Sequence, residues 1–403
     1  MELLVVPPFT DFTTETVPPP GTEVLDLGAR IVERLADPAR LRTVTAHRRD
    51  GPHTALIGRS AAAVIEQAAY DTAHLRAVGA ALRLAGDPAL RLSIDGLELA
   101  EGSTQSSRDV LAAAARCELF RPEVEQAVEV AKERRAHVVV DGERQLPAAF
   151  ALVRALGAER VTLCGRLVTE QVAALRRVPE LAGAEWLAWA PERVIRPHWH
   201  GDGVPVRWVT GLGTPPATGP WAGRLDATRV AAFPLGTLAR CRGLTIIVTR
   251  IDFLAAVTGL DGMTVNLRRL LAAIPMAAPV TCELAVGAPG FGAGVVGESL
   301  ELLADGPGGV RLGGLRPYRM GIRTVWAGHS VRFPPPAGHD LTRWVEFDAP
   351  ETMRAWEVAN TIKTWRGRLH NLPPGRLAAC TVAGDAPAPT WAPCEAGVLR
   401  RRA

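Results

Sequence analysis

Residues 137–164, HVVVDGERQLPAAFALVRALGAERVTLC, decide the fold of the first half of the chain. The apolar runs at 137–140 and 160–164 predict two β-strands, and the apolar-periodic segment 146–156 between them predicts a helix. Two strands that are joined through a helix form a βαβ unit, in which the strands lie parallel. This stretch therefore predicts an α/β fold.

The same alternation continues on both sides of this stretch. Further strands are predicted at 3–6, 92–99 and 185–189, and further helices at 24–35, 60–86, 107–115, 123–134 and 168–178. Ligands of open parallel sheets bind beyond the carboxyl ends of the strands. The loops at 7–16, 100–106, 141–145 and 165–169 are therefore the expected site.

The second half opens with a linker-like segment at 196–225 that is rich in Gly, Pro and Trp. Beyond it, strands are predicted at 244–249, 280–286, 310–312 and 323–326, and helices at 264–274, 299–304 and 351–365. The sequence thus predicts three parts: a first α/β domain at 1–205, a shorter α/β domain at 206–345, and a C-terminal helix with a Pro-rich tail at 346–403.

Composition excludes several classes of protein. The 403 residues are 47% hydrophobic and 22% charged, with a net charge of +4, which is typical of a globular chain and gives little support for nucleic-acid binding. The N-terminus lacks a secretory signal, and no apolar run is long enough for a membrane span, so a cytoplasmic protein without a membrane partner is expected. The six cysteines are widely spaced, which excludes the common zinc and iron–sulfur signatures.

Several local motifs have an ordinary structural interpretation beside a functional one. Gly292-x-Gly294-x-x-Gly297 matches the glycine pattern of a dinucleotide loop, but no acidic residue follows at the expected distance. His198-Trp199-His200 lies in a Pro/Gly-rich segment without a third metal ligand, so an exposed turn is expected.

The serine cluster and the late aromatic residues are interpreted in the same way. Ser107 is predicted to cap the helix that follows it, and no partner makes it a nucleophile. Trp356 and Trp365 lie nine residues apart on one predicted helix, so one is expected in the core and one at the surface. For the late aromatic cluster as a whole core packing is expected, with an aromatic groove for a peptide or flat ligand as the alternative; its members are Trp326, Phe333, Trp344, Phe347, Trp356 and Trp365.

Five segments, in the same order, make the sequence resemble the cobalamin-binding radical S-adenosylmethionine (SAM) proteins, particularly the branch that modifies ribosomal peptides. The segments are Leu3-Leu-Val-Val-Pro-Pro-Phe9, Gly102-Ser-Thr-Gln-Ser-Ser-Arg-Asp-Val-Leu-Ala-Ala-Ala114, Gln145-Leu-Pro-Ala-Ala-Phe-Ala-Leu-Val-Arg154, Cys164-Gly-Arg-Leu-Val-Thr169 and His200-Gly-Asp-Gly-Val204. Gly287–Gly306 is similar to the family's glycine-rich segment near SAM.

The resemblance implies an architecture and two sets of contacts. The architecture is an N-terminal Rossmann-like, doubly wound parallel sheet of the cobalamin-binding kind, followed by a degenerate radical-SAM-like partial (β/α) barrel. The implied cobalamin contacts are Pro7, Ser103, Gln105, Asp141, Gln145, Gly165 and Thr169. The implied SAM contacts are Gly287, Gly290, Gly292 and Ser299.

The chain departs from the family where a CxxxCxxC motif would hold a [4Fe–4S] cluster. Only Cys241 is present there, and Thr245 and Val248 take the other two positions. A cluster needs several thiolates. No cluster and no reductive cleavage of SAM are therefore expected, no other metal site is predicted, and Cys241 is expected to be a core thiol.

These observations leave three hypotheses about function. The first is a cluster-free cobalamin protein of peptide or natural-product biosynthesis, such as a methyltransferase that uses cobalamin without radical chemistry. The second is a catalytically silent relative that binds a peptide or stabilises a cluster-bearing homologous enzyme. The third is a nicotinamide-dependent oxidoreductase that uses the glycines near Gly292.

Overall fold

The chain forms two compact units. The computed structural model describes residues 2–9, 13–47, 52–69, 72–93, 96–197, 204–211, 213–248, 257–258, 264–265, 267–276, 278–288, 294, 297–298, 310–318, 320–321, 331–348 and 352–369. The first unit comprises residues 1–69, 73–193 and 335–343, and the second comprises residues 70–72, 194–334 and 344–403. The short segment 335–343 therefore returns to the first unit from late in the chain.

The first unit is built on a five-stranded parallel sheet. The strands in this half of the chain are β1 (Glu2–Val6), β2 (Thr14–Thr16), β3 (Thr22–Asp26), β4 (Leu90–Ser93), β5 (Gly96–Leu99), β6 (Ala136–Val139), β7 (Val161–Cys164) and β8 (Glu185–Trp186), of which β1, β3, β6, β7 and β8 form the sheet. The sheet order is β3-β1-β6-β7-β8, and all four strand pairs are parallel. Counted along the chain, these five strands have the order 2-1-3-4-5.

Among the described residues of this half, eight α-helices connect these strands. They are α1 (Leu27–Leu35), α2 (Pro38–His47), α3 (Pro52–Glu66), α4 (Thr72–Leu84), α5 (Ser107–Arg116), α6 (Arg121–Ala131), α7 (Leu146–Leu156) and α8 (Arg166–Leu175). Helix α7 is buried along nearly its whole length, and Leu3 to Val6 of β1 are all buried. Strands of a parallel sheet are covered on both faces, which explains these continuous apolar runs.

Most predicted elements of this half are confirmed, and three differ. The helix predicted at 24–35 is the end of β3 followed by α1, because the Asp26 side chain accepts a hydrogen bond from the Ala29 N–H (2.9 Å) and begins the helix there. The helix predicted at 60–86 is two helices, α3 and α4. The strand predicted at 92–99 is the antiparallel hairpin β4–β5, outside the parallel sheet.

The second unit contains another sheet with parallel strands. The strands in this half of the chain are β9 (Arg193–Ile195), β10 (Val206–Thr210), β11 (Trp221–Asp226), β12 (Cys241–Val248), β13 (Val257–Thr258), β14 (Thr264–Val265), β15 (Val280–Val286), β16 (Val310–Pro317), β17 (Met320–Gly321), β18 (Val331–Arg332), β19 (Trp344–Val345) and β20 (Phe347–Asp348). The pairs β13–β14, β17–β19 and β18–β20 are separate and antiparallel. Strands β10, β11, β12, β15 and β16 are successive neighbours and pair in parallel.

In the described part of this half, helices with defined bounds are α9 (Ala227–Ala231), α10 (Leu235–Leu238), α11 (Leu267–Leu271) and α12 (Ala355–Leu369). The helix predicted at 264–274 is in fact strand β14 followed by α11, and the helix predicted at 351–365 begins and ends later, as α12. On α12 Trp356 is 61% exposed, whereas Trp365 packs against the core, as expected. The predictions at 299–304 and 323–326 lie outside the described residues.

The α/β class is thus confirmed for both units. Within the part of the chain that the structure describes, no helix has the length and apolar character that crossing a bilayer requires.

Candidate functional site

The candidate site of the first unit lies where its parallel strands end. Pro7 follows β1, Asp141 follows β6 after one residue, and Gly165 follows β7 directly. These three strands are neighbours in the sheet and point the same way, so their following loops share one edge. In a sheet of this strand order, ligands bind at the switch point between the first and third strands, which here are β1 and β6.

Asp141 lies in a charged cluster at this edge. Its side chain is 9% exposed, its Oδ1 accepts a hydrogen bond from the Arg166 N–H (3.0 Å), and its Oδ2 lies 3.6 Å from Nη1 of Arg193. The Arg193 side chain is itself only 7% exposed and donates from Nε to Oγ1 of Thr14 (2.8 Å). The carboxylate of Asp141 is therefore balanced within the chain.

Gln145 shapes the loop after β6. It is 2% exposed, and its Oε1 accepts hydrogen bonds from the backbone N–H groups of Asp141 (2.6 Å) and Gly142 (3.1 Å). Its Nε2 donates to the carbonyl oxygen of Val139 (3.2 Å). The side chain thus satisfies backbone groups that a tight loop leaves without partners.

Gly165 allows the ends of β6 and β7 to approach closely. Its φ is +109°, and a Cβ atom there would lie 2.5 Å from the carbonyl oxygen of Val140. The Gly165 N–H donates to the Trp189 carbonyl (2.7 Å), and the Gly165 carbonyl accepts a hydrogen bond from Oγ1 of Thr169 (3.0 Å). The glycine and the threonine therefore have clear roles within the chain itself.

Ser103 and Gln105 lie in the loop that joins the β4–β5 hairpin to α5. Oγ of Ser103 accepts from the Gln105 N–H (3.2 Å), whereas Oε1 of Gln105 is buried without a hydrogen-bond partner in the described part of the chain. The prediction that Ser107 caps α5 is wrong by one residue. Ser106 is the cap, because its Oγ accepts from the Asp109 N–H (3.3 Å) and Ser107 is already helical.

Residues 335–343, which we call the strap, dock on this same loop and on α8. Oδ1 of Asp340 accepts from the Ser107 N–H (2.8 Å), and Oδ2 accepts from the Ser107 hydroxyl (2.6 Å). The Leu341 side chain is buried in the core of the first unit, and Nη2 of Arg343 donates to Oε2 of Glu170 (2.6 Å). No sequence pattern indicates the strap, because its partners lie more than 170 residues away.

These observations test whether the residues fit a corrin. Asp141, Gln145, Ser103 and Thr169 use polar side-chain atoms on the chain itself, so they hold the loops in shape. The buried Oε1 of Gln105 retains acceptor capacity, and the amide side chains on the rim of a corrin are hydrogen-bond donors. Among the implied corrin contacts that the structure describes, Gln105 is thus the one with a buried side-chain acceptor that has no partner in the described part of the chain.

The residues implied for SAM lie in the second unit. Gly287 has a φ of +88°, and a Cβ there would lie 2.5 Å from Cγ2 of Val358 on α12, so the glycine allows this helix to pack closely. Gly290, Gly292 and Ser299 lie outside the described residues, as do most of the dinucleotide-like motif and His198 to His200.

The stretch that would carry an iron–sulfur motif forms strand β12. Cys241 is fully buried in the apolar core, as predicted, and burial raises the pKa of its thiol to about 12. Thr245 and Val248 are also buried, and their spacing of three residues places them on opposite faces of the strand. Among the described residues, no group of three His, Cys, Asp or Glu side chains has a metal-binding arrangement.

Sequence reasoning missed a buried ionic group in the second unit, formed by Arg224 on β11, Glu283 on β15 and Arg316 on β16. Glu283 is 1% exposed, although it stands in a strand that is otherwise apolar. The signal was present as a single acidic residue in the run VTCELAV, where an unpaired charge is too costly to bury.

Comparison with known proteins identifies no relative of this chain. No family model, no curated protein and no solved structure matches this chain.

Proposed function

We propose that the first unit binds cobalamin at the carboxyl edge of its sheet, as part of a cluster-free protein of peptide or natural-product biosynthesis. The observation that carries this proposal is the strand order 2-1-3-4-5, with the Pro7 loop and the 140–145 loop on either side of the switch point. The finer architecture that we propose with it is a doubly wound, Rossmann-like domain followed by a degenerate partial barrel.

Different residues have different roles at this proposed site. Gln145, Gly165 and the Asp141–Arg193 pair hold the strand-end loops in a fixed shape, which limits the entropy lost when a flat ligand binds. Gln105 offers a buried carbonyl oxygen to an amide N–H of the ligand. Cobalamin, when bound, supplies a cobalt ion that can carry a methyl group to a nucleophile.

Polar methyl transfer without a radical step is consistent with strand β12. Of the three positions Cys241, Thr245 and Val248 on β12, only Cys241 carries a thiol. The thiol is buried, and its pKa of about 12 keeps it protonated near neutral pH. The substrate that we propose is a peptide or a small natural product in the cytoplasm, with no role for nucleic acid or membrane. SAM, if it binds, would then serve only as a methyl donor or ligand.

An absorbance spectrum of protein purified with added hydroxocobalamin tests this proposal. We expect a corrin spectrum that survives desalting, together with iron and sulfide at background levels. Gln105→Leu should weaken corrin binding about tenfold, because it removes the acceptor without leaving an unpaired polar group. Gln67→Leu, at an exposed helix end, is the control and should bind as the wild type does. Failure to retain any corrin would overturn the proposal.

The absence of cysteines at positions 245 and 248 favours a second candidate, a catalytically silent relative that binds a peptide or stabilises a cluster-bearing homologous enzyme. Thr245 and Val248 stand where such an enzyme needs thiolates. Co-purification with a tagged homologue from the same genome, without retained corrin, would favour this candidate over the first.

A further inference from the structure

The loop that carries Gln105 lies at the carboxyl edge of the first sheet. Strand β5, from which this loop starts, contacts the turn at Glu143–Gln145 that follows β6. Helices α5 and α7 pack against each other, and Nη2 of Arg154 near the end of α7 donates to the carbonyl oxygen of Ala114 near the end of α5 (3.4 Å). The two helices therefore run in the same direction. Since α7 begins after the carboxyl end of β6, α5 begins near that same edge.

The strap connects the start of α5 with the start of α8 along this edge. Asp340 accepts hydrogen bonds from the N–H and from the hydroxyl group of Ser107, which is the first residue of α5. Arg343 donates to Glu170 in α8, the helix that begins directly after Gly165. Asp340 and Arg343 are three residues apart, and three residues span at most about 11 Å. The strap therefore holds the loop before α5 and the loop before α8 close to each other.

The strap and the proposed ligand use different atoms of Gln105. The backbone N–H of Leu341 donates to the backbone carbonyl oxygen of Gln105 (2.8 Å). The side-chain Oε1 of Gln105, which is the proposed acceptor for a corrin amide, is buried without a partner in the described part of the chain. Because the two interactions do not compete for one atom, the strap can stay docked while a ligand binds. By holding the Gln105 backbone, the strap also limits the positions that the side chain can take.

One apolar anchor and a few polar contacts hold the strap in place. Leu341 is buried in the core of the first unit, whereas residues 335–338 and Asp340 are exposed. Oγ1 of Thr342 donates to the carbonyl oxygen of His339 (2.6 Å), so the strap also has a turn of its own. A segment with few buried contacts opens at a lower free energy than core strands do. We therefore expect a docked and an undocked strap within the folded protein.

We propose that the docked strap gives the cobalamin site its binding shape, so that docking of the strap and binding of cobalamin favour each other. Asp340 is a positioning residue in this proposal, because it acts through the loop before α5 and not by contact with the ligand. The inference rests on the proposed function and adds a regulatory element to that site. By linkage, bound cobalamin stabilises the docked strap by the same factor by which the docked strap raises cobalamin affinity.

Titration of the full chain with hydroxocobalamin, followed by absorbance, tests this coupling. Asp340→Ala should weaken binding about tenfold, because the loop before α5 loses its tie to the strap and must be ordered when the ligand binds. Asp340→Asn should bind nearly as the wild type does, since its Oδ1 still accepts from the Ser107 N–H. In a Gln105→Leu background Asp340→Ala should have little further effect, because the strap acts through Gln105.

Asp37→Ala is the matched control for a general loss of stability. Asp37 is an exposed aspartate that accepts from the Arg40 N–H (3.0 Å) at the start of α2. It follows the end of α1, whereas α1 begins at the carboxyl end of β3. Asp37→Ala should lower stability about as Asp340→Ala does and should leave cobalamin affinity unchanged.

Hydrogen exchange gives the reciprocal readout. Added hydroxocobalamin should slow exchange at residues 339–343 in the wild type and in Asp37→Ala. Equal cobalamin affinity in the wild type and Asp340→Ala, an equal loss in Asp37→Ala, or no slowing in the strap would overturn the coupling and leave the cobalamin site standing. A wild-type chain that binds no cobalamin would overturn the proposed function and the coupling together.

Discussion

Gly165 shows how one residue fixes the geometry of the first site. Its backbone has a φ of +109°, which side chains disfavour, and the backbone of Val140 occupies the place of a Cβ atom. Gly165→Ala is therefore expected to lower the free energy of unfolding by about 2 kcal/mol, because both strain and a clash arise.

Urea unfolding measures this change, with Gly142→Ala as the control in the neighbouring loop. Gly142 has extended backbone, and no atom lies within 4 Å of the position that a Cβ atom would take there, so its substitution should be close to neutral. Equal effects at the two positions would contradict the packing role of Gly165.

The ionised side chain of Glu283 is expected to stabilise the folded protein, and acid should remove this stabilisation. Its pKa is lowered in the folded protein, so the stabilisation by ionised Glu283 is present above the ordinary Glu pKa and is lost as pH falls through the lower, folded value. Glu283→Gln should cost about 3 kcal/mol at neutral pH, since it removes the buried carboxylate that the guanidinium groups of Arg224 and Arg316 share. Unfolding curves across the acid range should show the two proteins converging, and a constant difference would contradict the prediction.

At the scale of elements, the start of α5 separates two serines that look alike in the sequence. Ser106 caps the helix, whereas Ser107 donates to Asp340 of the strap. Ser106→Ala and Asp340→Ala should each lower stability by about 1 kcal/mol, and Ser107→Ala by less, because its backbone N–H still reaches Asp340. A double-mutant cycle should show coupling of Ser107 with Asp340 but none of Ser106 with Asp340.

Sequence patterns predicted elements well where burial alone decides them. Helix α7 and strand β15 have the predicted bounds, because each is a continuous apolar run between clear breakers. The patterns failed where one side chain chooses between two structures, as Asp26 does by ending β3 and beginning α1. The lone Glu283 in the apolar run of β15 indicates a buried ionic group, but the patterns do not identify its partners Arg224 and Arg316, because these lie on other strands.

At the scale of the whole molecule, the strap makes the first unit depend on a distant part of the chain. Leu341 is 4% exposed within its core. Leu341→Ala should cost about 2 kcal/mol and should do so in the first unit alone. Hydrogen exchange should become faster in β1 and β6 and stay unchanged in β12 and β15, and faster exchange in both sheets would contradict this expectation.

The strap also has a consequence for biosynthesis. The N-terminus of a nascent chain emerges first from the ribosome, and domains usually fold as they emerge. Here the first unit has no Asp340 for the start of α5 and no Leu341 for its core until residues of the second unit have already been made. A chain whose translation stops before the strap therefore lacks these contacts, and its first unit is expected to be less stable than that of the full chain.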